Sequence, residues 1–319
     1  MINKLIFFAA LFFCGVIFIF QNNAFLQEYN KDDYDEIISY FLNPHLANNS
    51  FSGWAKNILE KDNNSIDFML NHLDTVNSRT LYEIRSLLVK IGKPSVKFLA
   101  EYISDTSAIG NIIAVEALGD IAGEANGDIG DTSAINKLGD FLNSAHPSLK
   151  NITALSLGKI VFTNSDIIER LMTLTSDTSN MVKKSAILSL GKLAKYNPKN
   201  DTEVFNLLYP FLSDTFYFLR FSALEAIQKL DTGIVVPKII NKLDADLTQD
   251  ELKKVLKIIS AFSLSEPENI SKIKKIFYSA ADEYLCSISY NILNKSAYSD
   301  KEKLFEYHLK KFNRKPAFD

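Results

Sequence analysis

A short phrase recurs along this chain at a nearly constant interval, and that interval restricts the fold more than any other feature. Residues 153–160 read T-A-L-S-L-G-K-I and residues 186–193 read A-I-L-S-L-G-K-L, 33 residues later. A weaker copy, V-E-A-L-G-D-I at 115–121, lies 39 residues upstream of the first, and A-L-E-A-I-Q-K-L at 223–230 follows 37 residues after the second. Self-similarity at this period marks stacked supersecondary units, each covering an apolar face that its neighbour cannot bury alone.

With the phrase as a ruler, apolar residues spaced i, i+3, i+4 and i+7 define one-sided helices that come in pairs. First helices are expected at 66–73, 95–103, 134–142, 166–174, 203–212, 235–243 and 269–277. Second helices are expected at 80–91, 111–122, 148–162, 181–196, 218–230, 251–262 and 282–294, followed by a final helix at 300–312. Two amphipathic segments at 33–42 and 51–61, the second holding the single tryptophan Trp54, are expected to cover the start of the stack.

The turns agree with this phase. Ser-Asp-Thr recurs at 104–106, 176–178 and 213–215, where Asp, Ser and Thr can accept bonds from the free N–H groups of the next helix. Pro94, Pro198 and Pro267 fall near junctions, and Pro237 in the first turn of a helix, where proline is tolerated. Pro210 lies inside a first helix and should kink it. Gly119, Gly158 and Gly191 share one position in successive second helices. Glycine costs about 1 kcal/mol against alanine in a helix, so its recurrence predicts close approach of neighbours. Gln228 and Ser260 at the equivalent places predict looser packing there.

A-L-G-D-I-A at 117–122, I-G-D-T-S-A-I at 129–135, L-G-K-I at 157–160 and L-G-K-L at 190–193 resemble HEAT repeats, in particular the short bacterial kind of the phycobilisome-lyase type. The resemblance covers about residues 65–296. It implies an all-α fold, a right-handed α-α superhelix (a HEAT/armadillo-like solenoid) of about seven helix pairs with terminal capping helices. It specifies function poorly, because such repeats serve as scaffolds and adaptors and also as lyases.

The 16 residues from Leu5 to Phe20 carry no charge; Lys4 precedes them, and Glu28, Asp32, Asp33, Asp35 and Glu36 follow. Residues 1–24 therefore read as a signal peptide or an N-terminal membrane anchor, with the body exported, periplasmic or held outside the cytoplasm. Cleavage after Ala24 and retention as an anchor both fit the sequence. The remaining divisions are capping helices at 25–64, the repeat array at 65–296 and a Lys-rich helix and tail at 297–319. Cys14 lies in the apolar run, which leaves Cys286 alone in the body, so no disulfide framework or cysteine metal site is expected. Cys286 reads as a small core residue. The net charge of −3 excludes a globally basic nucleic-acid binder, but it is unevenly spread: residues 25–180 carry a net −9 and residues 181–319 a net +5.

Lys150, Lys183 and Arg220 each stand eight residues before the glycine position, so they align across three repeats. They either brace neighbouring turns, through Asp177–Lys183 and Asp214–Arg220, or join Lys184, Lys192 and Lys195 in a basic stripe for an acidic partner or lipid head groups. F-Y-F-L-R-F at 216–221 is the densest aromatic cluster of the body and exceeds what one helical face can bury. Phe216, Tyr217 and Arg220 are the contact residues it suggests, with Tyr217 exposed, since aromatic residues and arginine dominate binding hot spots. Glu124, Asp128 and Asp131 sit in a glycine-bearing loop, 123–131, that either binds calcium or is merely flexible and solvated.

His45, His72, His146 and His308 are scattered, and none is followed by Glu. No G-x-S-x-G, P-loop, H-E-x-x-H or C-x-x-C pattern is present. The expectation is an exported, non-catalytic scaffold or adaptor without cofactor, binding a protein or peptide on the inner surface formed by the second helices. An enzyme of the phycobilin-lyase type and a membrane-surface module using the basic C-terminus on anionic lipid are the alternatives.

Overall fold

The computed structural model describes residues 64–75, 78–106, 108–125, 127–161, 165–194, 196 and 198–316. The apolar run at 5–20, the segments at 33–42 and 51–61 with Trp54, and Lys195 lie outside the described residues.

Seven helix pairs follow one another in the described residues. They are α1 (Asn64–Asn71) with α2 (Ser78–Ile91), α3 (Lys93–Tyr102) with α4 (Ile109–Glu124), α5 (Thr132–Phe141) with α6 (Pro147–Leu157), and α7 (Ser165–Leu174) with α8 (Asn180–Ala194). Then come α9 (Asp201–Leu208) with α10 (Tyr217–Ile227), α11 (Thr232–Ile239) with α12 (Gln249–Ser260), α13 (Pro267–Ser279) with α14 (Glu283–Lys295), and a last helix, α15 (Lys301–Phe312). Even numbers are second helices. Among the described residues there is no strand.

The chain forms two compact units: the smaller runs to Ser104 and takes up again over Ala108–Ala117, into α4, and the larger holds Asp105–Ser107 and everything from Leu118 onward. In the smaller unit, Ile66 and Met69 of α1, Leu73 in the turn after it, Leu88 of α2, and Val96 and Leu99 of α3 form a core. Gly92, at φ +75°, turns the chain directly from α2 into α3, with Pro94 in the first turn of α3. Asp74 accepts hydrogen bonds from the Gly110 N–H (2.8 Å) and the Tyr102 hydroxyl (3.1 Å). Burial first, and the Asp74 charge second, push the Tyr102 phenol up to about 12.

In the larger unit the glycine phrase is a packing seam. A Cβ built on Gly119 falls 2.7 Å from the Ser156 Cβ, one on Gly158 falls 2.8 Å from the Ser189 Cβ, and one on Gly191 falls 2.6 Å from the Ala226 Cβ. Each small partner stands two residues before the seam position of the next second helix, so α4, α6, α8 and α10 interlock through one repeating contact. Ser189 Oγ donates to the Ala154 carbonyl (2.6 Å), which satisfies a polar group inside the seam. From α10 onward the seam is interrupted, as Gln228 and Ser260 predict. A cleft of about 180 Å³ lies beside Gln228, Lys257 and Ser260, and one of about 250 Å³ beside Ser260, Tyr284, Ser287 and Lys295. Cys286 is fully buried as expected, and burial pushes its thiol up to about 11.

Three expectations need correction. Pro210 does not kink a long helix: α9 ends at Leu208 and a 3-10 turn, Tyr209–Ser213, takes over with proline in its first turn. Pro237 is not in a first turn, because α11 already starts at Thr232 under an Asp231 cap; the helix again gives way to a 3-10 turn, Ile240–Asp244. Both outcomes follow from the missing N–H and the ring's clash with the carbonyl four residues back. The loop at 123–131 is not a merely solvated excursion. The Val161 N–H donates to the Gly127 carbonyl (2.7 Å), and the Val161 side chain fills the space a Cβ on Gly127 would need.

α15 packs onto the last pair with Leu304 and His308 fully buried. His308 Nε2 lies 2.9 Å from Ser287 Oγ, and its Nδ1 lies 3.0 Å from the Arg314 carbonyl. Lys311 Nζ donates to the Ala280 carbonyl (2.7 Å).

Candidate outward face of the second helices

The seam fixes the rotation of each second helix and therefore which residues leave the core. At 100° per residue, the side chain after the seam glycine and those about four and eleven residues before it share one stripe. In α6 and the residues that follow it, this stripe includes Leu155 and Lys159, both half-buried. In α8 it includes Met181, Leu188 and Lys192, and in α10 and the residues after it Phe218, Glu225 and Lys229. Lys159 Nζ reaches Asp120 Oδ1 at 2.6 Å, joining the residues that follow two successive seam glycines. Lys192 titrates below the ordinary lysine range because nearby atoms desolvate it and, next, because Lys159 repels its charge.

The N-terminal ends of these helices carry a different chemistry. Met181 is 53% exposed, Phe216 48%, Tyr217 43% and Tyr284 41%. The Tyr217 and Phe221 rings stack at 5.8 Å between centroids. Lys254 Nζ sits 4.7 Å above the Phe221 ring, and the Arg220 guanidinium 5.6 Å from the Tyr217 ring. Cations over aromatic faces at these distances are attracted by the ring quadrupole. The exposure of Phe216 and Tyr217 agrees with an aromatic cluster too dense for one buried face.

Lys150, Lys183 and Arg220 align in sequence, but they do not form a common outward row. Lys150 is paired with Asp177 in the turn of the following repeat. Burial works against the Asp177 carboxylate, yet the Lys150 hydrogen bond, the Ser179 N–H and the charges of Lys150 and Lys183 together hold it below the usual range. Arg220 Nε donates to Glu251 Oε1 at 2.6 Å, again in the following repeat, and its Nη1 donates to the carbonyls of Asp214 (3.0 Å) and Thr215 (3.3 Å). Lys253 repeats the pattern with Asp282 at 3.1 Å.

The braces therefore run between repeats. Within its own repeat Arg220 meets the Asp214 carbonyl, because the Asp214 carboxylate accepts from the Phe216 N–H (2.8 Å). Lys183 acts on Asp177 through its charge. Lys184 is half-buried one residue further on.

The acidic residues of the loop at 123–131 do not converge. Asp131 caps α5 by accepting from the Ser133 and Ala134 N–H groups, and Asp128 accepts from the Gly130 N–H. Among the described residues no three His, Cys, Asp or Glu side chains gather in a way that could hold a metal ion. No described helix is long and apolar enough to cross a membrane.

The stripe was partly visible in the sequence. The residue after the seam position reads Asp120, Lys159, Lys192 and Lys229 in successive copies. In that column Lys192 and Lys229 are exposed, whereas Lys150, Lys183 and Arg220, eight residues before the glycine position, are all half-buried.

No family model and no curated protein matches the chain. Among solved structures it is similar to the complex of CpcE and CpcF of phycocyanin lyase from Nostoc sp. PCC7120, at 21% identity over 52% of this chain and 99% of that one, with a TM-score of 0.45. It is also similar to two engineered proteins. One has 16% identity over 83% of this chain and 77% of the other, with a TM-score of 0.50. The second has 17% identity over 72% and 95%, with a TM-score of 0.42. At these identities the likeness concerns the fold alone, an all-helical solenoid.

Proposed function

We propose that the protein is a non-catalytic scaffold that holds a protein partner on the outward face of the second helices of its larger unit. The exposure of Met181, Phe216, Tyr217 and Tyr284 carries this reading. Each of these large side chains is more than two-fifths exposed, at the start of α8, α10 or α14. Aromatic residues and methionine are enriched at interface cores. The acidic groups nearby support a structural role: Asp177, Asp214 and Asp282 accept bonds from backbone N–H groups at helix starts, and Glu251 closes a capping box with Thr248.

A photo-crosslinking phenylalanine analogue at Tyr217 is expected to capture a partner in the host, and the same analogue at Glu203 on α9 is not. The variant Met181→Ser/Tyr217→Ser/Tyr284→Ser should keep its helical spectrum and lose that partner. Equal capture from Glu203, or full retention by the triple variant, would reject the reading.

We further propose that the body is exported, behind a signal peptide or anchor within residues 1–24. The uncharged run from Leu5 to Phe20, with Lys4 before it and five acidic residues soon after, supports this. N-terminal sequencing checks it. A start at Phe25 means cleavage, and an intact Met1 in the membrane fraction means an anchor. An intact Met1 in the soluble cytoplasmic fraction overturns the proposal.

A further inference from the structure

The outward face has two chemically distinct edges. Met181 and Phe218 stand near the starts of α8 and α10, and Lys192 and Lys229 each follow 11 residues later. At 1.5 Å per residue the two edges are about 16 Å apart. The second edge is a row of lysines, Lys159, Lys192 and Lys229, each one residue past the seam position of its repeat. The ion pairs that brace the turns engage Lys150, Arg220 and Lys253. Lys192 and Lys229 lie outside those braces. The acidic residues on this edge are Asp120, which meets Lys159, and Glu225, whose charge acts on Lys192.

The seam also sets the spacing of the row. Neighbouring helix axes in close contact lie about 8–10 Å apart, which sets the spacing of the backbone positions that carry the lysines. An extended polyproline II segment advances about 9.3 Å every three residues and brings every third side chain to the same side. The two pitches agree.

We propose that Lys159, Lys192 and Lys229 receive an extended acidic segment of the protein partner, one carboxylate per repeat, with Asp or Glu at every third position. The proposal rests on the partner-binding reading above and adds the chemistry and spacing of what is bound. A protein segment fits better than a nucleic acid. Asp120 and Glu225 stand beside the row, and a ligand whose charges are spaced can avoid them where a continuous phosphate backbone cannot.

The test uses the full chain and fluorescent peptides at moderate salt, where screening acts over about 10 Å. The probe is a fifteen-residue peptide of Glu-Pro-Ser repeats. One control replaces Glu by Gln, and a second has the same composition with the glutamates grouped together. The spaced acidic peptide is expected to bind about tenfold more tightly than either control. Lys192→Glu/Lys229→Glu should abolish that binding with unchanged helicity and melting, and Glu225→Gln should tighten it.

Failure of the spaced peptide to bind overturns the proposal, as does equal binding of either control or full binding by the charge-reversed variant. Vesicles of phosphatidylglycerol bound through the same lysines, with the peptides ignored, would assign the row to a membrane and also overturn it. Crosslinking from Tyr217 reads the apolar edge independently, so partner capture there together with peptide failure would leave the scaffold standing and remove only its acidic ligand.

Discussion

Gly191→Ala is expected to destabilise the larger unit, although alanine is the better helix former. The new methyl group would lie 2.6 Å from the Ala226 Cβ and 3.0 Å from the Ala226 carbonyl oxygen. The obstacle includes backbone, so no side-chain rotation relieves it and α8 must move away from α10. Overpacking of this kind costs about 1–3 kcal/mol. A loss of that size lowers the melting temperature by about 2–4 °C per kcal/mol in a unit of this length.

Gly123→Ala is the internal control. Gly123 is an exposed residue of α4 with nothing within 4 Å of a built Cβ, so alanine there should gain up to about 1 kcal/mol. Denaturant midpoints of the two variants should move in opposite directions. Stabilisation by both would mean that the second helices do not interlock through glycine.

Arg220→Ala is expected to have the larger effect. Glu251 has a side chain only 3% exposed and depends on Arg220 and on the Thr248 hydroxyl and N–H for its hydrogen bonds. Removing one partner of a buried pair strands the other charge and costs about 3–5 kcal/mol. The same pair predicts an acid dependence. Burial alone would raise the Glu251 carboxyl, but the hydrogen bonds from Arg220 and Thr248 and the Arg220 charge hold it below the ordinary value.

A carboxyl depressed in the folded state stabilises fully above its unfolded value, near 4.3, and the contribution fades as pH falls through the folded value. Wild-type stability should therefore drop with acidification in that range. Glu251→Gln should flatten the drop, and Arg220→Ala, which lets burial raise the folded carboxyl, should shrink or reverse it. An Arg220→Ala profile parallel to wild type would show that the pair carries no such energy.

The helical pairing was legible in the sequence because the period is enforced by packing. A seam residue that must be small recurs wherever two backbones meet, and Gly119, Gly158 and Gly191 announce it. The interruption at Gln228 and Ser260 was legible for the same reason, and the clefts stand where those residues are.

Ion-pair partners were less legible. Asp177 and Lys183 are near in sequence, yet the hydrogen-bonded partner of Asp177 is Lys150, 27 residues earlier. A turn in one repeat lies against the start of the second helix in the repeat before it. Local spacing carries no signal for that contact. Pro237 was misplaced because α11 begins three residues before the apolar pattern does, at Thr232 under the Asp231 cap. The outward face required the helix rotation itself, which only the contacts of the seam establish.

The interrupted seam has a mechanical consequence. Where backbone meets Cβ, as from α4 to α10, two helices have a single seating and cannot slide without separating. Where Gln228 and Ser260 replace glycine, clefts open beside the helices and leave them room to shift. Lys159, Lys192 and Lys229 are thus graduations on a rigid scale, whose pitch is set by the main chain. The stretch from α12 to α14 is the compliant end of the same stack, able to adjust to a ligand whose own pitch does not match.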